Sequence, residues 1–148
     1  MAKEATSVIV LKTELDKLNE NTLVVGFFKD KLELAKSIEK IDSDKIASSY
    51  IMNGGFKGEK GELKNVYINK SIKNIVLVGL GEEDKYSLDT LANILADVSK
   101  RLRDNGTNTF SIYLESFVNG KITANGAFEK IVLGSLMGLY KFIEYKTK

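Results

Sequence analysis

The sequence predicts an α/β domain built as a three-layer sandwich around a mixed central sheet. Three observations predict it. The stretch from Lys73 to Gly81 holds an unbroken apolar run, Ile75-Val76-Leu77-Val78, that ends in Gly79-Leu80-Gly81. The run is too short for a helix with a polar face and shows no alternation, so it reads as a strand buried on both faces, with helices above and below. Helix-patterned regions stand on either side of it, over 31–53 and from Ser87 onward, each set among further strands. A glycine-rich turn over 56–62 adds a hairpin, which makes the sheet mixed. At 148 residues the chain is long enough for a real core, and residues 1–148 read as a single domain.

The elements follow in order. Thr6–Leu11 is β-branched and mostly apolar, a first strand. Leu15–Asn21 is a polar connection with room for one helical turn, and Thr22–Phe28 is a second buried-type strand that Lys29-Asp30 breaks. Over 31–53, Leu34, Ile38 and Ile41 recur at helical spacing; Asp42 or Ser43 caps a second helix that carries Ile46, Ala47, Tyr50 and Ile51 on one face. Asn53-Gly54-Gly55 supplies the left-handed residues that end it. Strands near 55–59 and 62–69 form the expected hairpin, and Asn69-Lys70-Ser71 turns into the central strand.

The strongest helix begins at Ser87, its N-cap, with Asp89 in the first turn. Leu88, Leu91, Leu95, Val98 and Leu102 form its apolar stripe, Ala92 widens it, and Lys100, Arg101 and Arg103 suit its C-terminus. Asp104-Asn105-Gly106 ends it. Thr109–Glu115 alternates into a strand, and Asn119-Gly120 is a turn. Ala124, Phe128, Ile131, Ser135 and Leu139 give a last helical face from Ala124 to Met137, and Gly138–Tyr145 is expected to close the chain as a strand.

Composition narrows the function classes. The chain has 22 basic and 20 acidic residues, a net charge of +2, and no histidine, cysteine or proline. Near-balanced charge gives no footprint for nucleic acid or an anionic membrane, so neither is expected as a partner. Only Arg101 and Arg103 are arginines, so bidentate grips on phosphate or carboxylate are scarce. Without cysteine there is no thiolate nucleophile, disulfide or thiolate-bound metal; without histidine the commonest general base and metal ligand is missing. No signal-peptide core precedes the first strand and no window approaches ~18 apolar residues, so a cytoplasmic location is expected.

Three stretches invite a functional reading. Gly79-Leu80-Gly81 at a strand end suggests a dinucleotide site, but the third glycine of that fingerprint would fall on Asp84, and Glu82, Glu83 and Asp84 put carboxylates where a pyrophosphate would sit. The same triplet as a divalent-cation site lacks the spacing of a calcium loop, and three adjacent carboxylates splay apart. Gly54–Gly61 is glycine-rich and basic but lacks the Gly-Lys-Ser/Thr end of a phosphate loop; its glycines suit a hairpin, and a partner-binding loop stays open. The aromatic residues lie in apolar patterns that suit core packing. No catalytic, cofactor-binding or metal-binding residue is nominated, because nothing supplies a base to pair with a nucleophile.

Residues 133–148, Leu-Gly-Ser-Leu-Met-Gly-Leu-Tyr-Lys-Phe-Ile-Glu-Tyr-Lys-Thr-Lys, resemble the Glu-Gly-x-x-Leu-Gly-x-Tyr-x-Phe-Asp-x-Tyr-Lys-like stretch that ends the N-terminal domain of the cytosolic leucyl aminopeptidases. Gly134, Gly138, Tyr140, Phe142, Tyr145 and Lys146 match, whereas Leu133 and Ile143 depart from the family's Glu and Asp. Val78-Gly79-Leu80-Gly81 and Phe56-Lys57-Gly58 look like the same domain, in the right order. The resemblance implies an α/β domain of macro-domain-like architecture. It also implies a catalytic C-terminal domain as partner, holding two divalent metals (Zn or Mn), and hexameric assembly of the full-length enzymes. No stretch matches the family's Asn-Thr-Asp-Ala-Glu-Gly-Arg motif, so no catalytic or metal residue carries over. The implied function is a non-catalytic accessory domain of a metallo-exopeptidase, cut from a longer chain or standing alone. The alternative is a macro-domain-like module that binds ADP-ribose or a nucleotide; an independent scaffold is a third reading.

Overall fold

The computed structural model describes residues 7–11, 21–70, 72–107 and 109–147, with the backbone alone at 7–11, 36, 37, 109 and 136–147. Strands β1 (Ser7–Leu11), β2 (Thr22–Phe28), β3 (Leu63–Tyr67), β4 (Asn74–Gly81) and β5 (Thr109–Tyr113) form one sheet in the order β1-β5-β2-β4-β3. β3 runs antiparallel to β4 and the other pairings are parallel, so the sheet is mixed as expected. Helices α1 (Lys36–Ile41) and α2 (Ile46–Met52) cover one face; α3 (Leu88–Asp104) and α4 (Ala124–Thr147) cover the other.

β4 sits where the sequence puts it. All eight of its residues are buried, and Ile75, Val76, Leu77 and Val78 are fully enclosed. Successive side chains alternate between faces, so Ile75 and Leu77 join Ile38, Ile41 and Phe56 under α1 and α2. Val76, Val78 and Leu80 join Leu91, Leu95 and Val98 under α3. Each such side chain contributes about 1.5–3 kcal/mol of burial, and this strand feeds the core on both faces of the sheet.

α3 has the predicted cap: Thr90 N–H donates to Ser87 Oγ at 3.2 Å, and Leu91, Leu95, Val98 and Leu102 face inward. α2 is capped by Asp42, whose carboxylate accepts from Ala47 N–H and Ser48 N–H, both at 3.0 Å. Gly54, at φ +82°, ends that helix as a left-handed residue should.

Three expectations are corrected. The hairpin is not 55–59 against 62–69. Residues 56–59 are irregular, and β3 instead pairs with β4 around the turn of residues 68–73. The polar composition of 56–62 marked a turn correctly but not which strands it joins. The β5 strand stops at Tyr113, and Leu114–Phe117 coils into a 3₁₀ turn. The expected closing strand Gly138–Tyr145 is helix, because α4 continues unbroken to Thr147. Short apolar runs carry no decisive period, and once a helix exists each added residue gains a hydrogen bond without a new nucleus. Thr6, Leu15–Glu20 and Ser71, parts of three other expected elements, lie outside the described residues.

Gly134 explains how α4 seats on α3. A Cβ at that position would meet the Ala92 carbonyl oxygen and its Cα at 3.1 Å, so the helices cross backbone to backbone. Gly134→Ala is expected to force them apart at a cost of ~2 kcal/mol, lowering the thermal midpoint by roughly 5 °C. An unchanged melting curve would contradict this crossing.

Candidate functional site

In open α/β sheets, ligands bind outside the carboxyl ends of the strands, where adjacent connections leave in opposite directions. Here that point lies between β2, which leads to α1, and β5, which leads to α4. The two strands pair only at Leu23–Ser111 and Val24–Ile112, so they diverge and leave a crevice.

The 3₁₀ turn after β5 fills it. Gly26 N–H donates to Ser116 Oγ at 2.8 Å, and the Ser116 hydroxyl donates to the Tyr113 carbonyl at 2.7 Å. Phe117 is fully buried over Gly26, where an added Cβ would fall 2.8 Å from its ring. Tyr86 holds this plug from behind: its hydroxyl donates to the Phe117 carbonyl at 2.8 Å, and its ring meets Phe28 edge-on at 4.9 Å. What remains is a pocket of about 240 Å³ carrying Lys31, Glu33 and Glu115, below the volumes of ~300 Å³ and more that small-molecule sites occupy. Two carboxylates against one lysine also disfavour an anion there. Lys31 is already engaged by Glu83 at 2.8 Å, and that hydrogen bond and charge hold its ammonium above the ordinary lysine range.

The two glycine-rich stretches singled out in the sequence lie against each other. Gly79 N–H donates to the Glu62 carbonyl at 2.7 Å, Gly61 N–H to the Gly79 carbonyl at 3.0 Å, and Gly81 N–H to the Gly58 carbonyl at 3.0 Å. A Cβ on Gly79 would strike the Glu59 carbonyl oxygen, and Gly81 sits at φ +79°. The glycines thus serve a backbone-to-backbone seam. Several amides of the 56–62 loop are taken by the chain itself: Lys57 N–H and Glu59 N–H both donate to Glu62 Oε1 at 3.1 Å, and Gly61 N–H and Glu62 N–H donate to the Gly79 and Glu59 carbonyls.

The acidic triplet borders an open cleft of about 850 Å³, lined also by Lys29, Asp30 and Asn119-Gly120-Lys121. Its members turn apart: Glu83 pairs with Lys31, Glu82 with Lys85 at 3.5 Å, and the Asp84 carbonyl faces Lys121 Nζ. Among the described residues no three metal-ligating side chains converge. A third groove, about 610 Å³, runs beside α2 past Glu39, Asp42 and Met52, with Asp42 committed to its cap. Sequence reasoning missed the Ser116–Phe117 plug and the reach of Glu62 back to its own loop. Neither leaves a periodic signal, since each is one side chain meeting a backbone group.

A model of the cytosol aminopeptidase family, N-terminal domain, matches residues 24–148. The chain belongs to this family. Probable cytosol aminopeptidases from Cyanothece sp. and Alkaliphilus metalliredigens are 30% and 27% identical over 84% and 93% of the chain. The chain spans about a quarter of the length of these relatives, 26% and 28%. Among solved structures, a tomato leucine aminopeptidase mutant superposes with a TM-score of 0.70 at 16% identity, over 93% of this chain and 29% of that one. The macrodomain of Mycobacterium tuberculosis DarG superposes with a TM-score of 0.64 at 11% identity, over 88% of this chain and 90% of that one. The fold is therefore macro-domain-like, and the chain is the N-terminal domain type of the aminopeptidase family.

Tyr86 gives the plug a measurable signature. Burial pushes its phenol well above the ordinary tyrosine range near 10. Its neutral form is favoured by folding, so this stability is complete below about pH 10 and is lost as pH rises toward the folded value. Tyr86→Phe leaves the Phe117 carbonyl without its donor and is expected to cost about 1–2 kcal/mol at neutral pH, while removing part of the alkaline slope. Urea unfolding at neutral and alkaline pH measures both; equal midpoints for the two proteins throughout would sink this account.

Proposed function

We propose that the chain is an accessory domain of a cytosol-aminopeptidase-type exopeptidase, with no peptidase chemistry of its own. The observation that carries this reading is the family match over 24–148, to a domain that is only about a quarter of the relatives it resembles. In this reading the removal of N-terminal residues from peptides belongs to a catalytic domain, the chain's partner, where two divalent metals, Zn or Mn, activate water. The described residues support placing such metals elsewhere: among them no three metal-ligating side chains converge, Glu82 and Glu83 pair with lysines, and Glu62 accepts from backbone amides. Assembly as a hexamer and a cytoplasmic location belong to the same proposal. The family's name supports the latter, and no helix among the described residues is long and apolar enough to cross a membrane.

The likeness to the DarG macrodomain, over nearly its whole length, favours a second reading as a binding module for ADP-ribose or a nucleotide. The filled crevice and the self-bound 56–62 loop speak against it. Two measurements separate the readings. With added Mn²⁺ or Zn²⁺, the purified chain should hydrolyse a leucine chromogenic substrate no faster than metal alone; enzyme-like turnover would refute the accessory role. Titration calorimetry with ADP-ribose should give no binding heat; micromolar affinity would promote the module reading instead.

A further inference from the structure

Asparagine followed by glycine occurs at Asn53-Gly54, Asn105-Gly106, Asn119-Gly120 and Asn125-Gly126. In such pairs the glycine nitrogen can attack the asparagine side chain, since glycine has no side chain to screen it. The fold treats the four pairs differently. Gly54 N–H donates to the Ile51 carbonyl at 3.0 Å, Gly106 N–H to the Arg103 carbonyl at 2.9 Å, and Gly126 N–H to Thr123 Oγ1 at 3.0 Å. These three nitrogens are held in helix-end hydrogen bonds. Among the described residues no acceptor takes the Gly120 N–H.

The electrophile is prepared at the same pair. Asn119 Oδ1 accepts from Lys121 N–H at 2.9 Å and from Ile122 N–H at 3.1 Å. Two backbone donors on a carbonyl oxygen withdraw charge from its carbon, and they stabilise the oxyanion that forms when a nucleophile adds, as in an oxyanion hole. Gly120 is exposed, and nothing lies within 4 Å of where its Cβ would be, so the imide ring has room to form.

We propose that Asn119-Gly120 is a self-modification site, at which the folded chain deamidates in preference to its other Asn-Gly pairs. The Gly120 nitrogen gives its proton to solvent and bonds to Asn119 Cγ, and the carbonyl electrons move onto Oδ1. When the carbonyl re-forms, the Cγ–Nδ2 bond breaks and Nδ2 leaves as ammonia, taking a proton from solvent. Water then opens the five-membered imide at either carbonyl, giving aspartate or isoaspartate. No oxidant or cofactor enters. The product places a carboxylate in the cleft that already holds Asp30, Glu82, Glu83 and Asp84 against Lys29 and Lys121. The aspartyl form keeps an acceptor for the Lys121 and Ile122 amides. The isoaspartyl form lengthens the backbone by one carbon within the Asn119–Ile122 bridge.

The test is peptide mapping by mass spectrometry after the whole chain is aged folded, or aged in denaturant, at mildly alkaline pH. In the folded chain Asn119 should convert at least about tenfold faster than Asn53, Asn105 or Asn125, the scale of one oxyanion donor or less. In denaturant that lead should vanish. The proposal is overturned if another pair leads in the folded chain, or if the ranking is the same folded and denatured. Gly120→Ala places a methyl in open space and should fold, as circular dichroism would show, while slowing conversion at Asn119; undiminished conversion in the folded variant would also overturn it.

Discussion

The approach of the Glu59 carbonyl to the Cα of Gly79 constrains the carboxyl edge of the whole sheet. The central strand is buried along its entire length, so its last residues must find backbone partners without leaving the core. They find them in the 58–62 loop, through bonds to the carbonyls of Gly58 and Glu62 and from the amide of Gly61. Any side chain at position 79 would hold that loop away and break all three. Lys29 N–H closes the other side of the strand end by donating to the Gly81 carbonyl at 2.9 Å. The carboxyl edge is thus tied by main-chain bonds before any charged side chain acts on it. The ion pairs above it, Lys29–Glu59 at 3.3 Å and Lys31–Glu83 at 2.8 Å, join exposed or partly exposed groups and decorate a seam that already exists.

That seam bears on function because it occupies several backbone amides of a glycine-rich loop. A glycine-rich loop binds phosphate with unpaired amides, and here those of Lys57 and Glu59 end on the carboxylate of Glu62. The switch-point crevice is closed in the same manner, by the hydroxyl of Ser116 on Gly26 N–H and the ring of Phe117 above it. Likeness to a macrodomain at this identity shows the fold alone. The superposition shows a shared fold, and in this chain much of the edge is satisfied from within.

Much of this was legible in the sequence wherever a period was long or a run was uniform. The strand at 74–81, the strand at 22–28, and the capped helix from Ser87 with its stripe of Leu91, Leu95, Val98 and Leu102 were all readable, because burial on one or both faces writes itself into spacing. The acids at 82–84 weigh against a dinucleotide site in the sequence; in the structure Glu82 and Glu83 pair with lysines. Pairing was less legible. Leu63–Tyr67 looked like a hairpin partner for the segment before it and pairs instead with the strand after it, since composition marks a turn without saying which strands it joins. Gly138, the expected start of a closing strand, is the interior of a helix. The glycine one turn earlier, Gly134, shows why such a residue can be kept in a helix: it is where that helix touches α3. The plug and the self-bound loop were invisible, because each depends on a single oxygen reaching a distant amide.

Much of the carboxyl edge of this domain is met by its own groups: Glu62 takes two loop amides, and Ser116 and Phe117 fill the crevice. Its charge is nearly balanced, its basic residues are almost all lysines, and Lys29, Lys31 and Lys85 at the carboxyl edge pair with Glu59, Glu83 and Glu82. Rigidity is what the packing does supply: eight buried residues in β4, a phenol locked onto the Phe117 carbonyl, and two helices crossing in backbone contact. A rigid block with its own core can present a fixed surface to a neighbouring domain without contributing a reacting group. The accessory reading asks for that property.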